Sequence, residues 1–568
     1  MRGLGDGRRR FPRAVAAAVA AAALLAGGCA DQGGGERGDA LKPLDINTMP
    51  RDRVREGGTL RWPIEELPPQ FNVAHLDGAS GAASEVLGGL MPGGIKIDER
   101  ANVTVDPNYV LSARVTSTRP QVVTVRLNPK ARWSNGRPID WTDYEAQWKA
   151  QRGTDEKYQI ASSTAYERIA NVEQGRDRFE VVITYARPFG EWQSSVSGVY
   201  PREVNRDPEK FNTAYAGKIP ITAGPFKFEE LDQTAKSITI VRDPNWWGPP
   251  AKLDRIIFRV LAPDAAINAF VSGEVDLVDV GPNVSNYKRV QGVRDGQIRT
   301  AAGPDYRHFT LNGTSPLLSD LKVRRAVAAA INRDAITRAD LVGLNWPART
   351  MGNHYFVNTQ DGYRDNAGEL GQFDPERARQ LLDQAGWRPG ADGVRTKNGK
   401  PLELRFVIPS EVATSRQEAE LAQAMLRDVG VGLDIRTVPT DDFFEKYVIP
   451  GNYDVAPFSW VGSSFPVSPA KSLYAMPVKD AEGNLQVQQN YARIGSKEID
   501  ALMERALGDL DPARARRLLN QADRLVWEEV HSLTMYQRPE ITATKRNLAN
   551  YGSFGFKSGL YEDIGFAR

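Results

Sequence analysis

Three consecutive stretches limit the architectures open to this chain. LELRFVIP (402–409) and VGLDIRTV (431–438) read as strands, and TSRQEAELAQAMLRDVG (414–430) between them has the apolar spacing of a helix. Gly430 stops that helix, where a left-handed residue suits the end. Strand, helix and strand within about forty residues make a βαβ unit, which requires a parallel sheet and a right-handed crossover. Other stretches agree with this class. GGTLRWPI (57–64), QVVTVRL (121–127) and RFEVVITY (178–185) are strand-like, and WTDYEAQWKAQR (141–152) is helical, with Thr142 and Glu145 at capping-box spacing. FDPERARQLLDQAGW places Asp374 as a cap, Pro375 in the first turn and Gly386 after the last, and DPARARRLL (511–519) opens in the same way. The expectation is an α/β protein with more than one lobe.

The first 28 residues differ from the rest. Arg8, Arg9 and Arg10 precede AVAAAVAAAALLAGG, an apolar run that falls short of the roughly 20 residues of a membrane span. A basic region, a short apolar core and small residues before a cut site describe an export signal. The chain's single cysteine, Cys29, follows directly, and Leu-Ala-Gly-Gly-Cys resembles the lipobox of bacterial lipoproteins. That resemblance implies a diacylated Cys29 as the mature N-terminus, although Ala26 stands where Leu is usual and Leu25 lies one place further out. A plain secretory signal with an incidental cysteine is the alternative. RRRFPR (8–13) loosely resembles a twin-arginine signal interrupted by Pro12, so the Sec and twin-arginine routes both stay open. Residues 29–56, Gly-rich and then polar without periodicity, read as a flexible tether.

Charge and chemistry exclude several classes. The chain has 73 Lys+Arg and 71 Asp+Glu; residues 1–28 hold five Arg and one Asp, so the remainder has 73 − 5 = 68 against 71 − 1 = 70. No basic surplus is left for nucleic acid. Four histidines without metal spacing and one cysteine leave no zinc cluster, and no metal or cofactor is expected. GVRTKNGKP (393–401) fails as a phosphate loop, with five residues between its glycines and Pro401 in place of Ser/Thr. SPAK (468–471) lacks the companion elements of penicillin-recognising enzymes, and Asp441-Asp442 reads as a capping start to FFEKYVI. No catalytic set emerges. Trp133, Trp192, Trp246, Trp247, Trp460 and Phe465, however, sit beside Gly, Pro or Ser at the ends of strand-like runs, where α/β proteins bind ligands.

Five segments, in order, carry a family resemblance. They are ARWSNGRPIDWTDYEAQW (131–148), AGPFKFEEL with RDPNWWGPPAKLDRIIFRV (223–260), AINAFVSGEVDLVDV, FTLNGTSPLLSDLKVRRAVAAAINRDAI (309–336) and GNYDVAPFSWVG (451–462). Together they resemble the family 5 extracellular solute-binding proteins, receptors of ABC importers for oligopeptides, dipeptides and nickel. The resemblance implies a two-lobed, type II periplasmic-binding-protein-like fold with an extra subdomain, its ligand cleft between lobes joined by two hinge segments near 303–312 and 527–535. It implies lobe I from 57–90, 218–303 and 526–568, the subdomain from 91–217 and lobe II from 304–525. It further implies a monomer, held at the outer membrane face through Cys29, that serves a permease and its ATPases. The implied ligand-binding candidates are Trp460, Ser463, Ser464, Phe465, Gln70, Phe71, Asn72, Trp192, His308 and Asn312. One position departs: an Asp three residues after the Trp of the last segment holds the ligand's ammonium in peptide receptors, and here that position is Ser463. A hydroxyl cannot balance a buried ammonium. Two readings follow, an oligopeptide receptor, with Glu65 or Glu66 able to supply the missing charge, or a lipoprotein of the same fold that binds an envelope glycolipid.

Overall fold

Strand β1 (Thr59–Ile64) alternates half-buried and buried residues, turning Leu60, Trp62 and Ile64 inward. The chain then forms helix α1 (Gly81–Gly88) and leaves this lobe for a four-stranded sheet of β2 (Val110–Thr118), β3 (Gln121–Leu127), β4 (Ile169–Gln174) and β5 (Glu180–Tyr185), in the order β2-β3-β5-β4. Helix α2 (Trp141–Gln151) connects β3 to β4. Strands β6 (Phe226–Asp232), β7 (Ser237–Arg242) and β8 (Arg255–Val260) return to the first lobe, where β8 lies parallel to β1 in a sheet ordered β1-β8-β7-β6. This computed structural model describes residues 40–78 and 80–568; Cys29 and the apolar run lie outside the described residues.

A six-stranded sheet joins the lobes. Its members are β9 (Leu277–Asp279), β10 (Gly296–Leu311), β11 (Glu403–Pro409), β12 (Gly432–Val438), β13 (Val455–Val461) and β14 (Ser532–Lys545), ordered β9-β14-β10-β13-β11-β12. The βαβ unit is β11, helix α4 (Ala413–Asp428) and β12, with the two strands parallel as expected. Before it comes helix α3 (Arg333–Leu341); after it come α5 (Val467–Tyr474) and α6 (Pro512–Glu528). The long strands β10 and β14 are antiparallel neighbours that run from one lobe into the other. Their register shifts between Ala302 and Tyr306, at Gly303-Pro304-Asp305, so the expected lobe boundary at 303/304 falls inside a strand, on its bulge. Across it Gln537 Nε2 donates to the Gly303 carbonyl at 2.8 Å, and Arg538 pairs with Asp305. Bulges bend a ladder without ending it, which suits a strand pair that links two lobes.

Three local readings are corrected. The tether expected to reach residue 56 ends earlier. Asp45–Ile46 pair with Gly552–Ser553, Val54 is fully buried in a bridge to Ala567, and Arg51 pairs with Asp563. These partners lie some five hundred residues away, beyond any local pattern. The capping box of α2 stands two residues before the expected one: the Asp140 carboxylate accepts from the Thr142 N–H at 3.0 Å and Asp143 accepts from the Asp140 N–H at 3.1 Å. Glu145 instead pairs with Arg206. At Asp441-Asp442 no side chain caps the helix; Asp442 pairs with Lys446, and residues Phe443–Val448 form a π-helical turn.

Behind the joining sheet lies a buried acid. Arg307 of β10 donates to Glu418 of α4 at 2.7 Å and to Ser415 at 2.8 Å. Asp340 of α3, 4% exposed, lies beside Glu418 and Tyr536, and neither of its carboxylate oxygens makes a hydrogen bond of good geometry among the described residues. Burial first, and then the Glu418 charge, push its pKa up to about 9. On the other side of lobe II, His354 Nδ1 binds Asp523 at 2.7 Å and His531 Nε2 binds Asn490 at 2.9 Å, so two histidines distant in sequence share one buried polar network.

Candidate ligand-binding site

β13 delivers Trp460 to the edge of lobe II, paired across the ladder with Tyr306. Its indole lies nearly parallel to Tyr491 (5.7 Å, 23°) and to His308 (6.1 Å, 10°), with Phe458 edge-on at 5.3 Å. His308 is buried; its Nε2 meets Thr310 Oγ1 at 2.9 Å, while its Nδ1 has no partner among the described residues. Burial, and then the Arg307 charge, hold its pKa well below the usual imidazole value. The wall is therefore aromatic and uncharged.

The chain leaves β13 through Gly462, whose N–H donates to the Pro304 carbonyl at 2.8 Å and ties this loop to the bulge. The Ser463 hydroxyl accepts from the Phe465 N–H at 3.0 Å, and its carbonyl accepts from Gln360 Nε2 at 2.8 Å. Ser464 and Phe465 then line a cavity of about 280 Å³ together with Trp192, Phe356, Arg100 and Asp361. The cavity lies where the extra subdomain meets lobe II. Beside it the Glu191 carboxylate crosses between them and caps α5, accepting from the Val467 and Ser468 N–H groups at 2.7 and 2.9 Å. Arg168 to Glu504 (2.8 Å) and Gly190 N–H to the Leu507 carbonyl (2.6 Å) continue the junction.

The structure thus brings Trp192, Ser464 and Phe465 into one cavity, with Ser463 next in the chain; Trp460 lies at the end of β13 three residues before Ser463, and His308, 1% exposed, is buried against its indole. Four other candidates are corrected. Gln70 bonds the Asn212 carbonyl and the Asn72 N–H, Asn72 bonds the Phe211 carbonyl, and the Phe71 ring is fully buried in the lobe I core. Asn312 donates to the Gly451 and Tyr453 carbonyls and accepts from Thr314. The Gln70, Asn72 and Asn312 side chains bond backbone both near and distant in sequence, which ties down loops, and none of the four lines the cavity beside Ser464.

Sequence reasoning missed the carboxylates on the lobe I side. Glu85 on α1 and Glu540 on β14 have pKa values raised to about 7, chiefly by desolvation and then by the Asp279 charge, and Asp279 at the end of β9 is raised by desolvation and then by Glu65 and Asp305. Asp279 and Glu65 act on Glu85, and Asp279 and Asp305 act on Glu540. No local pattern marks residues so far apart; only Glu65 carried a signal, as the acid after the first strand.

Residues 104–484 match the model of the bacterial extracellular solute-binding proteins, family 5. The chain is a family 5 extracellular solute-binding protein. This solute-binding protein is 38% identical over 530 residues to the oligopeptide-binding protein OppA of Mycobacterium tuberculosis, covering 92% of the chain and 87% of OppA. It is 25% identical over 368 residues to the probable monoacyl phosphatidylinositol tetramannoside-binding protein LpqW of the same species, covering 58% and 56% of the two chains. Among solved structures, the periplasmic EDTA-binding protein EppA superposes with a TM-score of 0.84 at 23% identity, over 94% of this chain and 99% of that one. The two-lobed fold expected from the resemblance is the fold observed. The solute-binding protein is accordingly an extracytoplasmic receptor of an ABC importer, and its relatives are named for binding, not for catalysis.

Proposed function

We propose that the protein captures oligopeptides or similar solutes between its lobes and delivers them to a membrane permease with its ATPases. The likeness to OppA along nine-tenths of the chain carries this reading. A flat, uncharged aromatic wall supports it, because such a wall buries ligand area without committing to one side-chain chemistry. The body works as a monomer, its lobes closing about the β10–β14 crossing, with lobe I and the subdomain bounded near residues 91, 217, 303 and 525. A lipid on Cys29 holds it at the outer face of the membrane.

A second reading, a lipoprotein that binds an envelope glycolipid, is favoured by the serine at 463 and by the likeness to LpqW. Mass spectrometry of the ligand released on denaturing the purified protein separates the two: peptide masses support the first, a glycosylated lipid the second. Cys29→Ser is expected to move the protein from the membrane to the soluble fraction; unchanged fractionation would remove the lipid anchor from the proposal.

A further inference from the structure

A second cavity, of about 290 Å³, shares no lining residue with the one beside Ser464. Three segments enclose it: residues 87–91 at the end of α1, residues 558–562 near the C-terminus, and the antiparallel strand pair Ile95–Ile97 and Val103–Val105 of the subdomain with the turn that follows it. The Ser558 hydroxyl accepts from the Ile97 N–H, and the Ser558 N–H donates to the Ile97 carbonyl, both at 3.0 Å, so the strand pair is tied to lobe I beside the cavity. α1 closes against Tyr561: a Cβ at Gly88 would stand 2.6 Å from that ring, and the Tyr561 hydroxyl donates to the Glu85 carbonyl at 2.6 Å. Leu87, Met91 and Ile95, with the rings of Tyr109 and Tyr561, give the cavity apolar walls.

The charges on those walls do not balance. Asp106 and Glu562, each 8% exposed, are the carboxylates, and Lys96 is the one cation among the lining residues. Lys96 is taken by Asp106, 3.3 Å away, which also accepts from the Asn108 N–H at 3.0 Å. The Glu562 carboxylate makes no ion pair and no hydrogen bond to another residue among the described residues. Arg51 and the Lys252 N–H reach its carbonyl instead, and Arg51 pairs with Asp563. Burial raises the Glu562 pKa, and the charges of Asp563 and Asp106 act in the same direction. A carboxylate buried on a cavity wall without a partner is an incomplete arrangement, because burying an ionised group is costly unless it is paired. A positively charged group with N–H donors completes it, and the apolar walls accept a hydrocarbon body beside that group.

We propose that this cavity is a second binding site, separate from the transport cleft, for a small organic amine: its ammonium meets Glu562 and Asp106, and its hydrocarbon chain lies against Leu87, Met91 and Ile95. Lys96 is the internal competitor. It already offsets one of the two carboxylates, so the site takes one further positive charge. The turn of the same strand pair, Arg100 to Val103, lines the cavity beside Ser464, so an occupant bears on an element that both cavities share. The site does not depend on which solute the cleft takes.

Calorimetry with n-pentylamine and with 1-pentanol, its neutral counterpart, tests the site on wild type, Glu562→Gln, Asp106→Asn and Lys96→Met. Glu562→Gln nearly keeps the shape of the side chain, and Asp106→Asn keeps an acceptor for the Asn108 N–H while freeing Lys96 to pair with Glu562. Wild type is expected to prefer the amine by about tenfold or more, and the preference should fall to within about threefold in Glu562→Gln and Asp106→Asn. Lys96→Met should bind the amine more tightly than wild type, because it leaves Asp106 unpaired; a variant that merely loosened the fold would not. The absence of saturable heat in wild type, equal affinity for amine and alcohol, an amine affinity that neither Glu562→Gln nor Asp106→Asn lowers, or weaker binding in Lys96→Met overturns the proposal. An amine held in the transport cleft would be untouched by Glu562→Gln and Asp106→Asn, since neither residue lines the cavity beside Ser464.

Discussion

Replacing Asp340 with Asn is expected to stabilise this protein at neutral pH, by an amount set by proton linkage. In the native state Asp340 is 4% exposed and borders Glu418, and its pKa, pushed up to about 9, keeps it protonated at pH 7. In the unfolded chain an aspartate ionises near 3.9. The native protein therefore binds one proton more than the unfolded chain over this range, and stability falls as pH rises from about 4 toward 9. At pH 7 the gap of about 3 units corresponds to roughly 4 kcal/mol, and at pH 5 to about 1.5 kcal/mol. Asn does not titrate, has nearly the same shape, and can donate to Glu418 as the protonated acid does. Urea unfolding of wild type and Asp340→Asn at pH 5, 6 and 7 reads the difference, since groups that do not touch Asp340 cancel between the two proteins. The variant should lead by several kcal/mol at pH 7, and its lead should shrink as the pH falls. A variant less stable than wild type at pH 7, or a lead that does not change with pH, would refute the assignment of Asp340 as a neutral acid.

The opposite sign is expected at His531, whose pKa is lowered to about 3, chiefly by burial and next by the His354 charge. Its contribution is present above 6.5 and is lost as pH falls toward 3, about 2 kcal/mol by pH 5, so His531→Gln should flatten the acid side of the same urea series. At Ser463, a bound peptide and its N-acetyl form should differ by less than about 1.4 kcal/mol, a factor of ten, in calorimetry, and Ser463→Asp should shift preference toward the free amine. A strong amine preference in wild type would place the α-ammonium on another acid. Glu191→Ala leaves the α5 N–H groups uncapped, and loss of such a cap is worth about 1 kcal/mol. Hydrogen exchange should rise at Val467 and Ser468, while unchanged protection there would mean that the junction holds without the carboxylate.

The elements that sequence reasoning found are those whose instructions are local. The βαβ unit carries its own periodicity, and Asp374 and Asp511 cap helices through bonds to residues two or three places on. Trp192, Ser464 and Phe465 reach one cavity because strand ends place loops at a cleft. Gln70, Asn72 and Asn312 donate to carbonyls 139 or more residues away, at Asn212, Phe211, Gly451 and Tyr453, and Phe71 packs in the lobe I core. Whether a polar loop residue faces solvent, a ligand or distant backbone is decided by tertiary packing, which no short window contains. The lobe I carboxylates were hidden for the same reason, since their charges meet only after the first strand, α1, β9 and β14 come together.

The antiparallel contact between the two ends of the body also sets a timetable. Asp45–Ile46 pair with Gly552–Ser553, and the Arg568 N–H donates to the Arg53 carbonyl at 3.1 Å. The Gly296–Ala302 half of β10 finds its ladder partner in β14, whereas Asp305–Leu311 also pairs with β13. Loop closure over such separations is slow, and its entropic penalty must be met before the contacts form. Lobe I therefore closes only once β14 and Gly552–Ser553 are available to pair. An export channel that threads unfolded chains would meet no finished lobe I before β14 has been made.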